Sequence, residues 1–531
     1  MPGLDKQILD SIDHQIAIKR IQNDIKSDFI IAPHYNAIFL KASDELWART
    51  YECLNSGSYE TSLPLTMSIP KKGGFARPGS ILYPTDRLVY QVLADSTASI
   101  IEEQIDRTRN FSNIYLNDDP NGFMFESPHD SWGKYKSRIA ELCNGGGYFI
   151  KSDIANYFER IPQHHLINLL HASGCKTEVV NLLEKTLSSF REKNSFGIVQ
   201  GVYPSDMFGN FYLTDLDSFC EIHNIPSARY VDDLYMKFDS KNEASRWLLK
   251  LIERLRKNGL NLNESKSGIY SAVDIKQEET ELDQIFEEAR IEVEEEMLKE
   301  AEDEHYDRLL PRFGYYGFAV GWEYERPEIE LDEEEVHFAA VERLYDSIDS
   351  FPNSSDKIEK FCLPILSHSG SRIAIDRSLN GIIEKPYMAK VYNSYLLTFA
   401  QRDKTISKKL ENLLTNVAIV SDYQYMYLIA ALMNCSEISR DTINLAVRLL
   451  EDKKVADETR AIAAIFAAKF GNPQQKHCVK IAYDGEHSEF VRSAILYSSK
   501  HFTSVEKKTC IKAWGGHSLV NALISVVLKT E

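Results

Sequence analysis

Two adjacent aspartates, Asp232 and Asp233, stand between strand-like runs, after Ala228-Arg229-Tyr230-Val231 and before Leu234–Phe238. A third aspartate, Asp153, ends another apolar run far upstream. Like charges side by side are unfavourable unless a cation or a basic group compensates them. Carboxylates at a hairpin tip, joined by one on a neighbouring strand, suit two-metal nucleotidyl transfer. Each feature alone has a plainer reading. An Asp-Asp pair serves as an ordinary turn, and Asp153 alone serves equally as a cap on the turn that follows it.

The elements needed to bring these acids together are legible. Gly145-Gly146-Gly147 makes a turn into the strand-like run Tyr148–Ser152, which ends at Asp153. A helix follows with Leu166, Leu169 and Leu170 on one face. The runs flanking Asp232 and Asp233 predict a hairpin that displays both acids at its tip. Between these segments, Gln200-Gly201 precedes an apolar stretch, Met207–Leu213, that reads as the buried face of a helix.

With these segments in order, a resemblance emerges. Asp153-Ile-x-x-Tyr-Phe158 resembles motif A of reverse transcriptases, and Tyr230-Val-Asp-Asp233 resembles their motif C. Gly197-Ile-Val-Gln200-Gly201, with Ser205, Asn210 and Asp217 beyond it, resembles motif B, Val199 replacing the usual proline. Ile69-Pro-Lys71-Lys72 through Arg77-Pro78, then Pro84–Gln91, resembles the fingers motifs, and Asn258-Gly259 through Lys266 resembles motif D.

The resemblance implies an α/β right-hand polymerase, with fingers and an antiparallel palm sheet. Asp153, Asp232 and Asp233 would be its catalytic acids. With the backbone carbonyl of Ile154 they would hold two Mg²⁺ ions, for which Mn²⁺ could substitute. Lys71, Lys72 and Arg77 would bind the incoming triphosphate, the guanidinium being suited to a bidentate phosphate contact. Gln200 would line the nucleotide and template side. Lys266 would donate a proton to pyrophosphate or simply bind it. Phe158 would be the steric gate that clashes with a 2′-hydroxyl and favours deoxynucleotides; from spacing alone it reads as core packing.

Residues 1–270 are expected to form fingers and palm, and 271–350 an acidic helical linker or thumb replacement. Residues 351–531 are expected to form an all-α, HEAT-like domain. Leu282, Phe286, Ala289, Val293 and Met297 recur at helical spacing in the acidic stretch, while Pro311 to Pro327 reads as turns or short strands. Arg460–Phe470 aligns with Arg492–Phe502 as a weak internal repeat of the HEAT kind, an ordinary helical bundle being the plain alternative. This layout resembles bacterial abortive-infection (Abi) and defence-associated reverse transcriptases. It implies phage defence by DNA synthesis, in some members primed by protein and without a conventional template. The partners so implied are dNTPs, RNA or single-stranded DNA, a non-coding RNA, and further copies of the chain. Two alternatives stand beside it: a mobile-element, group II intron-like reverse transcriptase, and a polymerase-derived binding scaffold whose catalysis is dispensable.

Composition does not oppose this reading. The formal charge of −18 resides in two segments: 278–304 has fourteen acids and two bases, and 328–335 has six acids and no base. The rest is balanced, with room for basic surfaces that meet nucleic acid. No run approaches the roughly 18 to 20 apolar residues of a membrane span. The N-terminus has no signal-peptide core, and the eight cysteines form no CxxC pair, so no zinc or disulfide framework is indicated. A bacterial cytoplasm is the expected setting, without membrane partners.

Overall fold

The structure, a computed structural model, describes residues 4–117, 119–192, 194–309, 332–416 and 419–530. The segment Pro311 to Pro327 lies outside the described residues, as does the side chain of Leu282. Two compact units emerge. One comprises the chain up to Gln277 together with Glu411–Met433 and Glu437–Glu531; the other comprises Glu278–Leu410 and Asn434–Ser436.

The first unit contains two antiparallel sheets. β1 (Leu65–Pro70) and β2 (Ala76–Ile81) form a hairpin running from Leu65↔Ile81 to Pro70↔Ala76. Its turn is closed by Lys71 N–H donating to the Phe75 carbonyl at 2.7 Å. Gly73 and Gly74 both sit near φ +80°, a conformation open to glycine and costly for other residues. The second sheet contains β3 (Tyr148–Ser152), β4 (Ser227–Tyr230), β5 (Asp233–Phe238) and β6 (Gly268–Ser271), in the order β4-β5-β3-β6.

Side-chain alternation divides this sheet between two cores. Phe149, Tyr235 and Ala228 face Tyr135 and Ile139 of the helix Pro128–Asn144, joined by Ala272 and Ile275. Ile150, Leu234, Met236 and Phe238 enter the larger core with Leu251 and Leu255 of the helix Lys241–Lys257. That helix is capped by Ser240, whose side chain accepts from Glu243 N–H, and it ends on Arg254, Arg256 and Lys257, which oppose its dipole.

The C-terminal helices Asp422–Leu432, Asp457–Phe470, Glu489–Ser498 and Leu519–Thr530 pack in series, and the last also packs against the N-terminal helix Pro33–Lys41. The two repeat-like segments thus fall on neighbouring helices. The ring of Phe490 meets those of His34 and Tyr35 at 4.5 and 5.0 Å. The helical region expected to form one domain from 351 is therefore shared between the two units. The helices Asp422–Leu432, Glu489–Ser498 and Leu519–Thr530 contact β1 or the helix Pro33–Lys41, a long-range pairing that helical periodicity does not encode.

In the second unit, the helix Ala272–Leu309 continues from Glu278, with Ala289 and Val293 buried and Phe286 packed on Phe361 at 5.5 Å. Glu359 is buried among these helices. It accepts from Lys385 Nζ and the Tyr392 hydroxyl, each at 2.7 Å, and from Arg377 Nε at 3.3 Å. Among the described residues, no helix is long and apolar enough to cross a membrane.

Candidate active site

β3 ends at Ser152, and Asp153 follows directly. The loop before β6 grips it from several sides. Asp153 N–H donates to Ser267 Oγ at 3.1 Å, while Asn263 N–H donates to the Asp153 carbonyl at 2.8 Å. Asn263 Nδ2 donates to Asp153 Oδ2 at 2.8 Å, and Lys266 Nζ lies 3.1 Å from Oδ1. The carboxylate's position is thus set by an amide and an ammonium as well as by its strand.

Asp232 occupies the turn between β4 and β5. Tyr230 pairs with Asp233 across it, so the tip contains only Val231 and Asp232. The expected hairpin is present, but Asp233 already belongs to β5 and is not displayed at the tip. Val231 lies at φ +55°, in the left-handed region that a β-branched residue rarely adopts.

A cavity of about 360 Å³ opens between these elements. Asp153, Ile154, Asp232 and Lys266 line it, with Lys71 from the β1–β2 turn and with Phe158 and Gln200. Seven residues singled out in the sequence thus meet at one site. Lys72, Arg77 and Asp233 are not among its lining residues. Lys72 is exposed in the hairpin turn. Arg77 is half-buried on β2, stacked 4.1 Å over the Phe29 ring, where burial lowers its pKa. The sequence reading missed Asn156 and Asn263, which also line the cavity. Asn263 falls within the motif D segment, yet its amide role appears only from its contact with Asp153.

Glycines shape the walls. A Cβ at Gly209 would lie 2.9 Å from Phe158 Cε1, so the missing side chain leaves room for that ring. Tyr157 OH donates to the Gly209 carbonyl and Ile198 N–H to the Phe158 carbonyl, fixing the segment on both sides. Gly201, at φ +87°, lies against Phe29, and a Cβ there would come 2.8 Å from the ring.

Burial, then the charges of Asp233 and Asp153, push the Asp232 carboxyl up to about 7, while Lys266 opposes the shift. Such a group favours a nearby cation, and the Lys266 ammonium already supplies one positive charge at Asp153. Among the described residues, no group of three His, Cys, Asp or Glu side chains forms a ready-made metal cage. Three acidic residues, Asp153, Glu159 and Asp232, line the cavity, with Ile154 beside Asp153. That set fits a hard divalent cation that keeps several waters and takes its other ligands from substrate phosphates.

Residues 69–303 match the family model for reverse transcriptase (RNA-dependent DNA polymerase). The chain therefore carries a reverse transcriptase domain, and that domain is of the RNA-directed DNA polymerase class. No curated protein matches the chain. Among solved structures it is similar to telomerase from Candida tropicalis in complex with a TWJ fragment of telomeric RNA. Identity is 11% and the TM-score 0.31, with 71% of this chain and 65% of that one covered. Apo telomerase from Candida tropicalis aligns at 11% identity and TM-score 0.29, covering 91% of this chain and 73% of that one. Telomerase from Candida albicans with a TWJ fragment of telomeric RNA aligns at 9% identity and TM-score 0.30, covering 84% and 70%. Scores near 0.3 do not establish a shared fold.

Proposed function

We propose that the chain is a Mg²⁺-dependent DNA polymerase of the reverse transcriptase type that acts in bacterial antiphage defence. The observation that carries the polymerase reading is the cavity shared by Asp153, Asp232, Lys71 and Lys266 within the reverse transcriptase domain. The defence reading draws on the layout of that domain followed by serially packed helices, which suits a HEAT-like region.

Asp153 and Asp232 would hold the metal, with Asp233 acting through its field. A divalent cation held by these residues would supply Lewis-acid chemistry, lowering the pKa of a primer hydroxyl and offsetting phosphate charge. Lys71, projecting from the hairpin turn, meets the triphosphate. Lys266 releases Asp153 and turns to pyrophosphate, as proton donor or as counter-charge. Phe158, backed by Gly209, lies beneath the sugar and excludes a 2′-hydroxyl. Gln200 borders the base and template side.

The finer reading has synthesis primed by a protein hydroxyl, without a conventional template, in a cytoplasmic homo-oligomer associated with RNA. Its test is to purify the chain with its bound nucleic acid and add Mg²⁺ and each labelled dNTP. Label covalently attached to protein supports it; extension only of an added RNA–DNA hybrid overturns protein priming. Loss of phage resistance in an Asp232→Ala/Asp233→Ala variant supports catalytic defence, whereas full resistance favours a binding scaffold.

A further inference from the structure

The acid at the centre of the cavity sits on a turn that its own sequence does not favour. Val231 is β-branched, yet it stands at φ +55° immediately before Asp232. Something must hold it there, and both peptide groups of Val231 are held by buried side chains. Val231 N–H donates to Ser112 Oγ at 2.9 Å, and Arg229 Nη1 donates to the Val231 carbonyl at 2.8 Å.

Arg229 is wholly buried and its guanidinium makes four further hydrogen bonds, one of them from Nη2 to the Asn210 carbonyl at 3.3 Å. Its Nε donates to Asp217 Oδ1 at 2.8 Å and its Nη2 to Asp217 Oδ2 at 2.5 Å, a two-pronged pair with a buried carboxylate. Its Nη1 also donates to Asn210 Oδ1 at 3.0 Å. Ser112 Oγ lies 3.0 Å from both that Asn210 oxygen and Asn110 Oδ1, which share its single proton, and Asn210 Nδ2 donates to the Ser112 carbonyl at 2.9 Å. The two groups that hold the turn therefore converge on one amide.

A buried ion pair is weak evidence for stability, because taking both charges out of water offsets much of their attraction. Its value here is geometric. A guanidinium presents several donors in a rigid plane and can address a carboxylate, an amide and a peptide carbonyl together, which an ammonium on a flexible stem cannot.

We propose that Arg229, locked by Asp217 and Asn210, is a positioning residue that holds the left-handed Val231 peptide and thereby aims Asp232 into the cavity. The inference rests on the polymerase reading of that cavity and adds to it the device that sets one acid. Release of the Val231 carbonyl lets that residue relax to negative φ, which turns the following peptide and carries Asp232 away from Asp153. Glycine adopts positive φ without penalty, so Val231→Gly lessens the need for the clamp.

The test compares wild type, Arg229→Lys, Val231→Gly and the double variant by dNTP incorporation on a primed RNA template. Mn²⁺ binding by electron paramagnetic resonance and thermal unfolding are read in parallel. Arg229→Lys is expected to lower kcat roughly 100-fold, with KM for dNTP within about threefold, since a small misplacement at the reacting centre costs about that much. Its Mn²⁺ affinity is expected to fall about tenfold. Val231→Gly lowers kcat about threefold in wild type but raises it about tenfold in the Arg229→Lys background, a reversal of sign expected from relief of the left-handed conformation. Wild-type kcat in Arg229→Lys, or a Val231→Gly effect of the same sign in both backgrounds, overturns the proposal. A merely structural pair would lower the melting temperature without that reversal. If Arg229→Lys does not fold, Ser112→Ala takes its place: a kcat loss repaired by Val231→Gly supports the proposal, and unchanged kcat overturns it. If wild type incorporates no nucleotide, the polymerase reading fails, and Mn²⁺ binding judges the positioning claim alone, unchanged affinity in the variant overturning it.

Discussion

Asp153 and Asp232 illustrate how residue type and residue setting divide the work. The acids were legible because carboxylates at the ends of apolar runs are costly unless they serve a purpose. The amide that orients one of them was not, because Asn263 gains its role from a hydrogen bond of 2.8 Å across two loops. Replacing Asn263 with Ala should leave folding almost unchanged and lower kcat or cation affinity roughly 10- to 100-fold, as loss of an orienting partner does. Steady-state incorporation with a cation titration measures it. Phe158 has two readings from sequence, core or gate; its ring packs against the core and also lines the cavity. Phe158→Ala should raise ribonucleotide use relative to deoxynucleotide use by roughly 10- to 100-fold, within the range that steric discrimination in a pocket supplies. Paired kcat/KM values for a dNTP and its ribonucleotide check this.

At the scale of elements, the hairpins and helices followed from alternation and apolar periodicity. Tyr148–Ser152 became a strand, and the apolar segment Arg460–Phe470 falls within the helix Asp457–Phe470. The turn of the β4–β5 hairpin did not follow. The Tyr230–Asp233 pairing leaves only Val231 and Asp232 at its tip, a turn held by Arg229 of β4 and by Ser112 from outside the hairpin. Arg77 likewise lies on the strand expected for it but stacks on Phe29, because aromatic neighbours compete for a guanidinium. The helix Tyr203–Tyr212 contributes a glycine where Phe158 needs space. Gly209→Ala forces the ring of Phe158 aside and should cost about 1–3 kcal/mol, the usual penalty for overpacking. It should also raise KM for the nucleotide. Denaturant midpoints and nucleotide titrations read the two effects separately.

The whole molecule is where sequence reading reached least. Helical character from 351 onward was plain, but the partners of those helices were not, since pairing between residues hundreds of positions apart leaves no local period. The helix Pro33–Lys41 and the C-terminal helices share one compact unit, with His34 buried against Phe490. Burial pushes His34 down to about 3, whereas an unfolded chain titrates histidine near 6.5. The folded state therefore keeps the ring neutral. Its contribution is complete above about pH 6.5 and is lost as pH falls from there toward 3. The melting temperature of a His34→Gln variant should accordingly depend less on pH between about 6.5 and 4 than that of wild type.

The central claim is that Asp153 and Asp232, gathered around one cavity, make phosphodiester bonds. It is tested most directly by incorporation of labelled dNTPs by purified wild-type protein and by the Asp232→Ala/Asp233→Ala variant in Mg²⁺, with both shown to be folded. Wild type is expected to incorporate label and the variant none above background; equal incorporation by the two overturns the claim.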